Sequence, residues 1–167
     1  MQQIISLVRK GHDMLVKILD YARDPFLLII RLYWGYQFFL AGKGKLENLE
    51  RTAGFFAELQ IPLPKFNALL AASTECFGGL LLMLGLASRL VSIPLAFTMV
   101  VAYITAHREG VDALFSDPSK FFEQSPFLFL YASVIVLTCG PGRLSLDTII
   151  RHKIFPPQEN PENNAKS

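Results

Sequence analysis

Four apolar windows constrain the fold of this 167-residue chain more than any other feature of its sequence. They cover residues 25–41, 66–88, 90–106 and 125–140, and they contain only two charged residues, Arg31 and Glu75. A helix needs about 20 residues to cross roughly 30 Å of hydrocarbon. The second window meets that length, and the other three would cross nearly upright or use interfacial residues. Because the backbone amides of a membrane span must bond within their own segment, each window is predicted to be a helix.

The composition agrees with a chain that lies mostly in lipid. Hydrophobic residues make up 51 % of the sequence, charged residues only 18 %, and the mean hydropathy is +0.35. Soluble domains carry roughly 25 % charged residues, so a water-soluble helical bundle is disfavoured. The long apolar runs also argue against disorder, and a net charge of +2 does not suggest a nucleic-acid partner. The partner that the composition predicts is the lipid bilayer.

The predicted architecture is an all-α integral membrane protein, a four-helix antiparallel bundle over residues 25–155 with a different segment at each end. Residues 1–24 alternate apolar and basic side chains at helical spacing, which predicts an amphipathic N-terminal helix. That helix would lie on the inner membrane surface or pack under the bundle. Residues 156–167 are polar and rich in Pro, so this tail is predicted to be disordered. Nine Lys and Arg residues lie on the predicted side of the membrane that holds both termini, and six lie on the other side. This excess predicts a multi-pass inner-membrane protein with both termini in the cytoplasm.

The two charged residues inside the windows call for a common explanation, because a charge within a span costs about 2.5–3.5 kcal/mol on insertion scales. Measured from the ends of their windows, Arg31 and Glu75 lie within about 7 Å of the same depth. We therefore predict an ion pair between them that faces the bundle interior. Gln37 lies at a similar depth and is expected to hydrogen-bond into the same site. The pair could fix the register of two helices, or it could line a polar pocket that binds a small ligand or passes protons.

Small residues are predicted to bring the first two spans into close contact. Gly42 lies on the same helical stripe as Arg31, and Gly79 lies on the stripe of Glu75, with Gly78 beside it. Residues without a large side chain let helix backbones approach each other in lipid. The charged pair is thus expected where the two helices touch.

The fourth window ends in Gly140, Pro141 and Gly142. Glycine permits a positive φ, and proline cannot continue a helix, so this sequence is predicted to be a structural exit turn. Ser145 is expected to cap the helix that follows. A docking surface for a cytoplasmic partner is the alternative interpretation of this turn.

His107 closes the third window at the predicted outer face, and Tyr103 lies one turn earlier on the same side of the helix. A histidine at this place can exchange protons with a quinone or with the outer compartment, or it can simply be interfacial. Cys76 and Cys139 form no CxxC motif, so a redox pair is not indicated. The three histidines show no metal-ligand spacing, and no metal site is predicted.

Three segments of the chain resemble the DoxX family of small four-span membrane proteins. They are residues 31–46 (RLYWGYQFFLAGKGKL), 74–90 (TECFGGLLLMLGLASRL) and 140–147 (GPGRLSLD). His107 is similar to a histidine that is frequent after the third span in the family. The resemblance covers about residues 25–150 and implies four antiparallel membrane helices. Some DoxX-like proteins are subunits of thiosulfate:quinone oxidoreductase, and others accompany oxidative-stress complexes or peptide-modifying enzymes, so the fold alone does not choose a function.

Two hypotheses of function follow. In the first, the chain is a redox-linked membrane subunit in which a quinone lies among the helices and Glu75 or His107 carries a proton. Its ligand-binding residues would be Arg31, Gln37, Glu75 and Tyr103. The chain shows no electron carrier of its own, so a membrane or cytoplasmic redox partner would supply that chemistry. In the second, the chain is a non-enzymatic membrane anchor or assembly partner, and the ion pair only holds register. A homo-oligomer is compatible with both hypotheses.

Overall fold

The computed structural model describes residues 2–154, and within that range every regular element is an α-helix. The prediction of an all-α protein is therefore confirmed for the described chain. The predicted disordered tail, residues 156–167, lies outside the described residues. In chain order the helices are α1 (Gln2–Glu47), α2 (Leu49–Glu58), α3 (Pro64–Leu84), α4 (Ser88–Ala106), α5 (Arg108–Asp112), α6 (Pro118–Phe122), α7 (Ser125–Cys139) and α8 (Leu146–Ile154).

Two of these helices, α3 and α4, are long and apolar enough to cross a membrane by length and composition. Helix α7 is also apolar, but it has only 15 residues. Both α3 and α4 begin and end within a few residues of the apolar windows read from the sequence. The predicted count of four spans depends on α1 and α7 as well, and it stays a prediction.

Helix α1 is a single helix of 46 residues, about 69 Å long at a rise of 1.5 Å per residue. The sequence placed a boundary after residue 24, but Pro25 lies inside the helix and does not end it. Proline removes one backbone hydrogen bond from a helix interior, which weakens the helix locally without necessarily breaking it. We call residues 2–24 the N-terminal arm. Residues 8–23 are exposed, so this part of the arm does not pack under the other helices, and its place on the membrane surface stays a prediction.

Helices α1, α3, α4 and α7 contact one another around an apolar core. The core consists of Phe38, Leu82, Leu95, Met99 and Val136. Gly78 belongs to the contact between α3 and α4, because a Cβ built on it would lie 3.0 Å from the side chain of Leu95. The helices thus bury side chains from all four elements at one centre.

Glycines set the distance between α1 and α3. A Cβ built on Gly42 would lie 2.7 Å from the carbonyl oxygen of Ala72 and 2.7 Å from the Cα of Cys76. A Cβ on Gly79 would lie 2.6 Å from the carbonyl oxygen of Gly35. The two backbones therefore touch along this face, as the small-residue stripes suggest. Because the later residue of α1 meets the earlier residue of α3, these two helices run in opposite directions.

The connections divide the molecule into two ends. At the end that we call the turn end, the α3–α4 turn meets the segment between α7 and α8, and the amide of Asp147 donates to the carbonyl of Gly85 at 2.9 Å. The Asp147 carboxylate accepts the amides of Ala87 and Ser88 at 2.7 and 3.0 Å, so it caps α4 from outside. At the opposite end, the loop end, the short helices α2, α5 and α6 connect the long ones.

Candidate functional site

Glu75 is buried on α3, and its carboxylate binds Lys45 of α1. The Lys45 ammonium lies 2.5 Å from one carboxylate oxygen and 2.6 Å from the other. The Glu75 side chain is 3 % exposed, whereas that of Lys45 is 36 % exposed. A buried carboxylate needs a counter-charge. The Lys45 ammonium supplies it, and the long methylene stem connects this ammonium to a backbone that lies near the surface. This ion pair fastens α1 to α3 toward the loop end.

Arg31 is fully buried on α1 near the turn end. Its Nη2 donates to the carbonyl oxygen of Leu144 at 2.5 Å, and the carboxylate of Asp147 attracts its charge. Gly85 leaves room for the guanidinium, because a Cβ at this position, where φ is +70°, would overlap Arg31. Arg31 therefore ties α1 to the α3–α4 turn and to the segment that precedes α8.

The predicted ion pair between Arg31 and Glu75 is wrong. Arg31 precedes Gly35 by four residues, and Glu75 precedes Gly79 by four residues. Because Gly35 lies against Gly79 in helices that run in opposite directions, the two charges lie on opposite sides of this contact. The offset along the helix axes is about 12 Å at a rise of 1.5 Å per residue. The proposed pocket between these two residues is therefore not formed.

Sequence reasoning missed Lys45, although it lies on the same helical stripe as Arg31 and Gly42. The first apolar window ends at residue 41, four residues before Lys45. Helix α1 continues to Glu47, and the ammonium reaches back to Glu75. The sequence feature that points to Lys45 is the helical stripe of Arg31 and Gly42, because this stripe continues past the end of the first apolar window. Gln37 is half-buried and makes no side-chain hydrogen bond within residues 2–154, so it joins neither charged group.

His107 lies between α4 and α5 at the loop end, on the wall of a cleft of about 310 Å³. Its Nδ1 lies 2.6 Å from the side-chain oxygen of Gln124. In the tautomer that carries its proton on Nδ1, His107 donates to this amide oxygen, and Nε2 is left as an acceptor. Arg108 and Glu109 also line the cleft and make it polar.

Aromatic rings connect the His107 region to the exposed surface of α7. Tyr103 is buried, its ring centroid lies 6.3 Å from that of His107, and it stacks on Phe121 with centroids 4.5 Å apart. The Tyr103 hydroxyl donates to the Phe121 carbonyl at 2.9 Å. Phe121 contacts Phe127, which stacks on Tyr131. The structure thus brings Tyr103 and His107 together, and it places neither of them with Arg31.

The exit turn after α7 has two left-handed glycines. Gly140 has a φ of +80° and Gly142 a φ of +75°, and Pro141 lies between them. The Ser145 hydroxyl donates to the carbonyl of Gly142 at 2.9 Å and accepts the amide of Thr148 at 3.2 Å. The second bond is an N-cap, so the predicted capping role of Ser145 is confirmed.

Comparisons with known proteins agree with the membrane character of these helices. "Putative oxidoreductase CatD" of Bacillus subtilis is 33 % identical over 123 residues, which are 74 % of this chain and 85 % of the relative. An "Uncharacterized protein" of Haemophilus influenzae is 30 % identical over 141 residues, 78 % of this chain and 85 % of the relative. "Inner membrane protein YphA" of Escherichia coli is 27 % identical over 127 residues, which are 75 % of this chain and 91 % of the relative. No solved structure gives a significant match.

The sequence profile of the DoxX family matches residues 26–108. This range contains both buried charged groups, Arg31 and the Lys45–Glu75 pair, and it ends just after His107. The profile therefore extends over the α1–α3 contact and the whole of α4. The chain belongs to the DoxX family of membrane proteins.

Proposed function

We propose that this DoxX protein is the membrane subunit of an oxidoreductase system and that it binds a quinone or quinol ring beside His107. The observation that carries the proposal is the loop-end cleft, in which an orienting Gln124 leaves one histidine nitrogen as an acceptor next to stacked aromatic rings. The printed name of the Bacillus subtilis relative supports a redox-linked role. Among the residues that the sequence suggested for the ligand, Tyr103 lies close to this cleft.

The size and chemistry of the cleft suit a substituted quinone ring. Its volume of about 310 Å³ is at the lower end of the range for ligand pockets, about 300–1,000 Å³, so a ring fits and a long tail would remain outside. The Nε2 of neutral His107 would accept a hydrogen bond from a quinol hydroxyl, and the protonated ring would donate to a quinone carbonyl. Phe121, which stacks on Tyr103 beside His107, does not line the cleft, so the ring would be held by the polar side chains of the cleft wall. Electrons would pass to or from a redox partner protein.

The test is a binding measurement on the full chain in detergent with a short-chain quinone and its quinol. Replacing His107 by Ala should weaken quinol binding about tenfold, because one hydrogen bond to a partly buried group is lost. His12→Ala is the matched control, since His12 is exposed in the N-terminal arm, and it should bind as the wild type does. If wild type and H107A bind both ligands equally, or if neither binds, the proposal fails.

The second candidate is a membrane anchor or assembly partner without an activity of its own, and the N-terminal arm favours it. Leu15, Ile18 and Leu19 are each more than half exposed on the arm, and basic residues lie between the apolar ones. Such a helix suits a membrane surface or the groove of a partner. Removing residues 2–22 should then abolish association of the chain with its partner protein, whether or not the chain binds a quinone. A truncated chain that still associates with the partner protein would favour the redox-subunit hypothesis over this one.

We further propose the membrane arrangement in which this function would operate. Helices α3 and α4, the part of α1 that follows Pro25, and α7 would form four spans in the inner membrane. The excess of Lys and Arg at the turn end supports an orientation with that end and both termini in the cytoplasm. The His107 cleft would then face the outer side, and a homo-oligomer or a redox partner would bind around the four spans.

A further inference from the structure

A second cleft, of about 390 Å³, opens at the turn end between the start of α4 and the start of α8. Two arginines, Arg89 of α4 and Arg151 of α8, contribute to its wall. The hydroxyl-bearing Thr148 and the turn from Gly140 to Gly142 complete its polar side. The cleft lies at the opposite end of the helices from His107, so it is independent of the proposed quinone site.

The cleft wall carries two arginines and one carboxylate, that of Asp147, so its formal charge is +1. Among residues 2–154, no carboxylate lies within 4.0 Å of a guanidinium nitrogen of Arg89 or Arg151. The Arg89 guanidinium makes one long hydrogen bond, 3.4 Å, to the carbonyl of Thr138. Asp147 also lines the cleft, but its two oxygens already accept the amides that begin α4, and its charge attracts the buried Arg31. An anion that entered the cleft would therefore meet two available guanidinium groups.

The other side of the cleft is apolar and continues along the surface of α4. Leu90 lines the cleft and is 71 % exposed. Ile93 and Phe97 follow on the same face of α4, at 54 % and 67 % exposed. These three residues occupy positions i, i+3 and i+7, which form one stripe about 10 Å long. Since α4 is one of the two membrane-capable helices, this stripe leads from the cleft along a helix that can contact acyl chains.

We propose that the turn-end cleft binds the phosphate group of an anionic phospholipid, with an acyl chain along Leu90, Ile93 and Phe97. Guanidinium groups bind phosphate through paired, charge-assisted hydrogen bonds, and basic pockets at the cytoplasmic ends of spans suit lipid headgroups. The apolar stripe favours a lipid over free inorganic phosphate, which would make no use of it. The bound lipid would hold α4 and α8 together at the membrane surface.

The test is titration of the full detergent-solubilised chain with phosphatidylglycerol or phosphatidylcholine, followed by native mass spectrometry. The wild type should bind phosphatidylglycerol more tightly than phosphatidylcholine. The variant R89Q/R151Q should bind phosphatidylglycerol about 30-fold more weakly, because it loses two interfacial charges. The variant R89K/R151K keeps both charges and should retain most of the affinity. Arg51→Gln is the matched control, since Arg51 is exposed at the loop end and forms no ion pair within the described chain.

Three outcomes would overturn the proposal. The first is equal affinity of the wild type for the two lipids, and the second is an equal loss in R89Q/R151Q and R51Q, which would indicate nonspecific attraction. In the third, millimolar inorganic phosphate binds the wild type and displaces phosphatidylglycerol completely, which would assign the cleft to free phosphate. If R89Q/R151Q does not fold, the variants R89K/R151K and Phe97→Ser take its place in the comparison. Phe97→Ser keeps both arginines and should still lower the affinity for the lipid.

Discussion

Glu75 and Arg31 are held by groups that the apolar windows do not reveal, and the Nε and Nη1 atoms of Arg31 have no hydrogen-bond partner within residues 2–154. Glu75 binds Lys45, which lies four residues past the end of the first window, and Arg31 binds a backbone carbonyl in the segment before α8. The sequence identified both buried charged residues, because ionisable groups inside apolar windows are rare. It did not identify their partners, because the partner depends on how far one helix is displaced along the other.

The Lys45–Glu75 pair should respond unequally to the loss of its two members. Lys45→Met leaves a carboxylate that is 3 % exposed without a counter-charge, and the free energy of unfolding should fall by about 3 kcal/mol. Glu75→Gln leaves an ammonium that is 36 % exposed and can reach water, so the loss should be only about 1 kcal/mol.

The measurement is unfolding in detergent, followed by circular dichroism. The double variant K45M/E75Q serves as the control, because it removes both charges and should lose less than the two single variants together. Equal losses in the two single variants would show that Glu75 is not held by Lys45 in the way the structure indicates.

At the scale of helices, backbone contact rather than helix propensity decides the arrangement. Helix α1 continues through Pro25 for 46 residues, and glycines on α1 and α3 let the two backbones touch. The segment between α4 and α7 contains the short helices α5 and α6. Windows of apolar residues therefore predict where helices lie, whereas the close contacts determine how they pair.

Two glycines of α1 that lie two residues apart provide a sharp test of this contact. Gly42→Ala should lower the free energy of unfolding by about 1–3 kcal/mol, since the new methyl group would collide with the backbone of α3. Gly44→Ala should raise it by about 0.5–1 kcal/mol, since a methyl group on Gly44 would point into open space and alanine favours the helix.

Detergent unfolding of both variants gives the comparison, with the wild type as reference. The two substitutions add the same atoms to the same helix, so their difference isolates the α1–α3 contact. A G42A variant as stable as G44A would mean that α1 and α3 are further apart than the structure places them.

On the scale of the whole molecule, the two clefts lie at opposite ends of the helices and differ in character. The loop-end cleft combines His107 with the polar side chains of Arg108, Glu109 and Gln124, and the turn-end cleft combines two arginines with an apolar stripe. If the helices span a membrane as proposed, these clefts face different compartments. The orientation then decides which cleft meets the anionic cytoplasmic leaflet.

The native cysteines allow this orientation to be measured. Cys139 is exposed at the turn end and Cys76 is buried, so in the variant C76S only Cys139 is available to a membrane-impermeant maleimide. It should react in inside-out vesicles and stay unmodified in intact cells. In a cysteine-free chain, Ser116→Cys at the loop end should show the reverse pattern, because Ser116 is exposed between α5 and α6.

Labelling of Cys139 from outside the cell would reverse the proposed orientation. Labelling of both positions from the same side would contradict a molecule whose helices cross the membrane. In a separate C139S variant, Cys76 should react only after the chain unfolds, which gives a control for intact structure.

The sequence by itself determined that this protein is all-helical, that α3 and α4 are membrane-capable, and that Arg31 and Glu75 are buried. Those properties follow from local hydropathy and helical periodicity, which neighbouring residues specify. Only the tertiary structure decided that Lys45 pairs with Glu75, that Arg31 closes the turn end, and that His107 faces Gln124. Each of these contacts joins segments distant in the chain, and a shift of one helical turn between two helices would replace every partner without changing the apolar pattern.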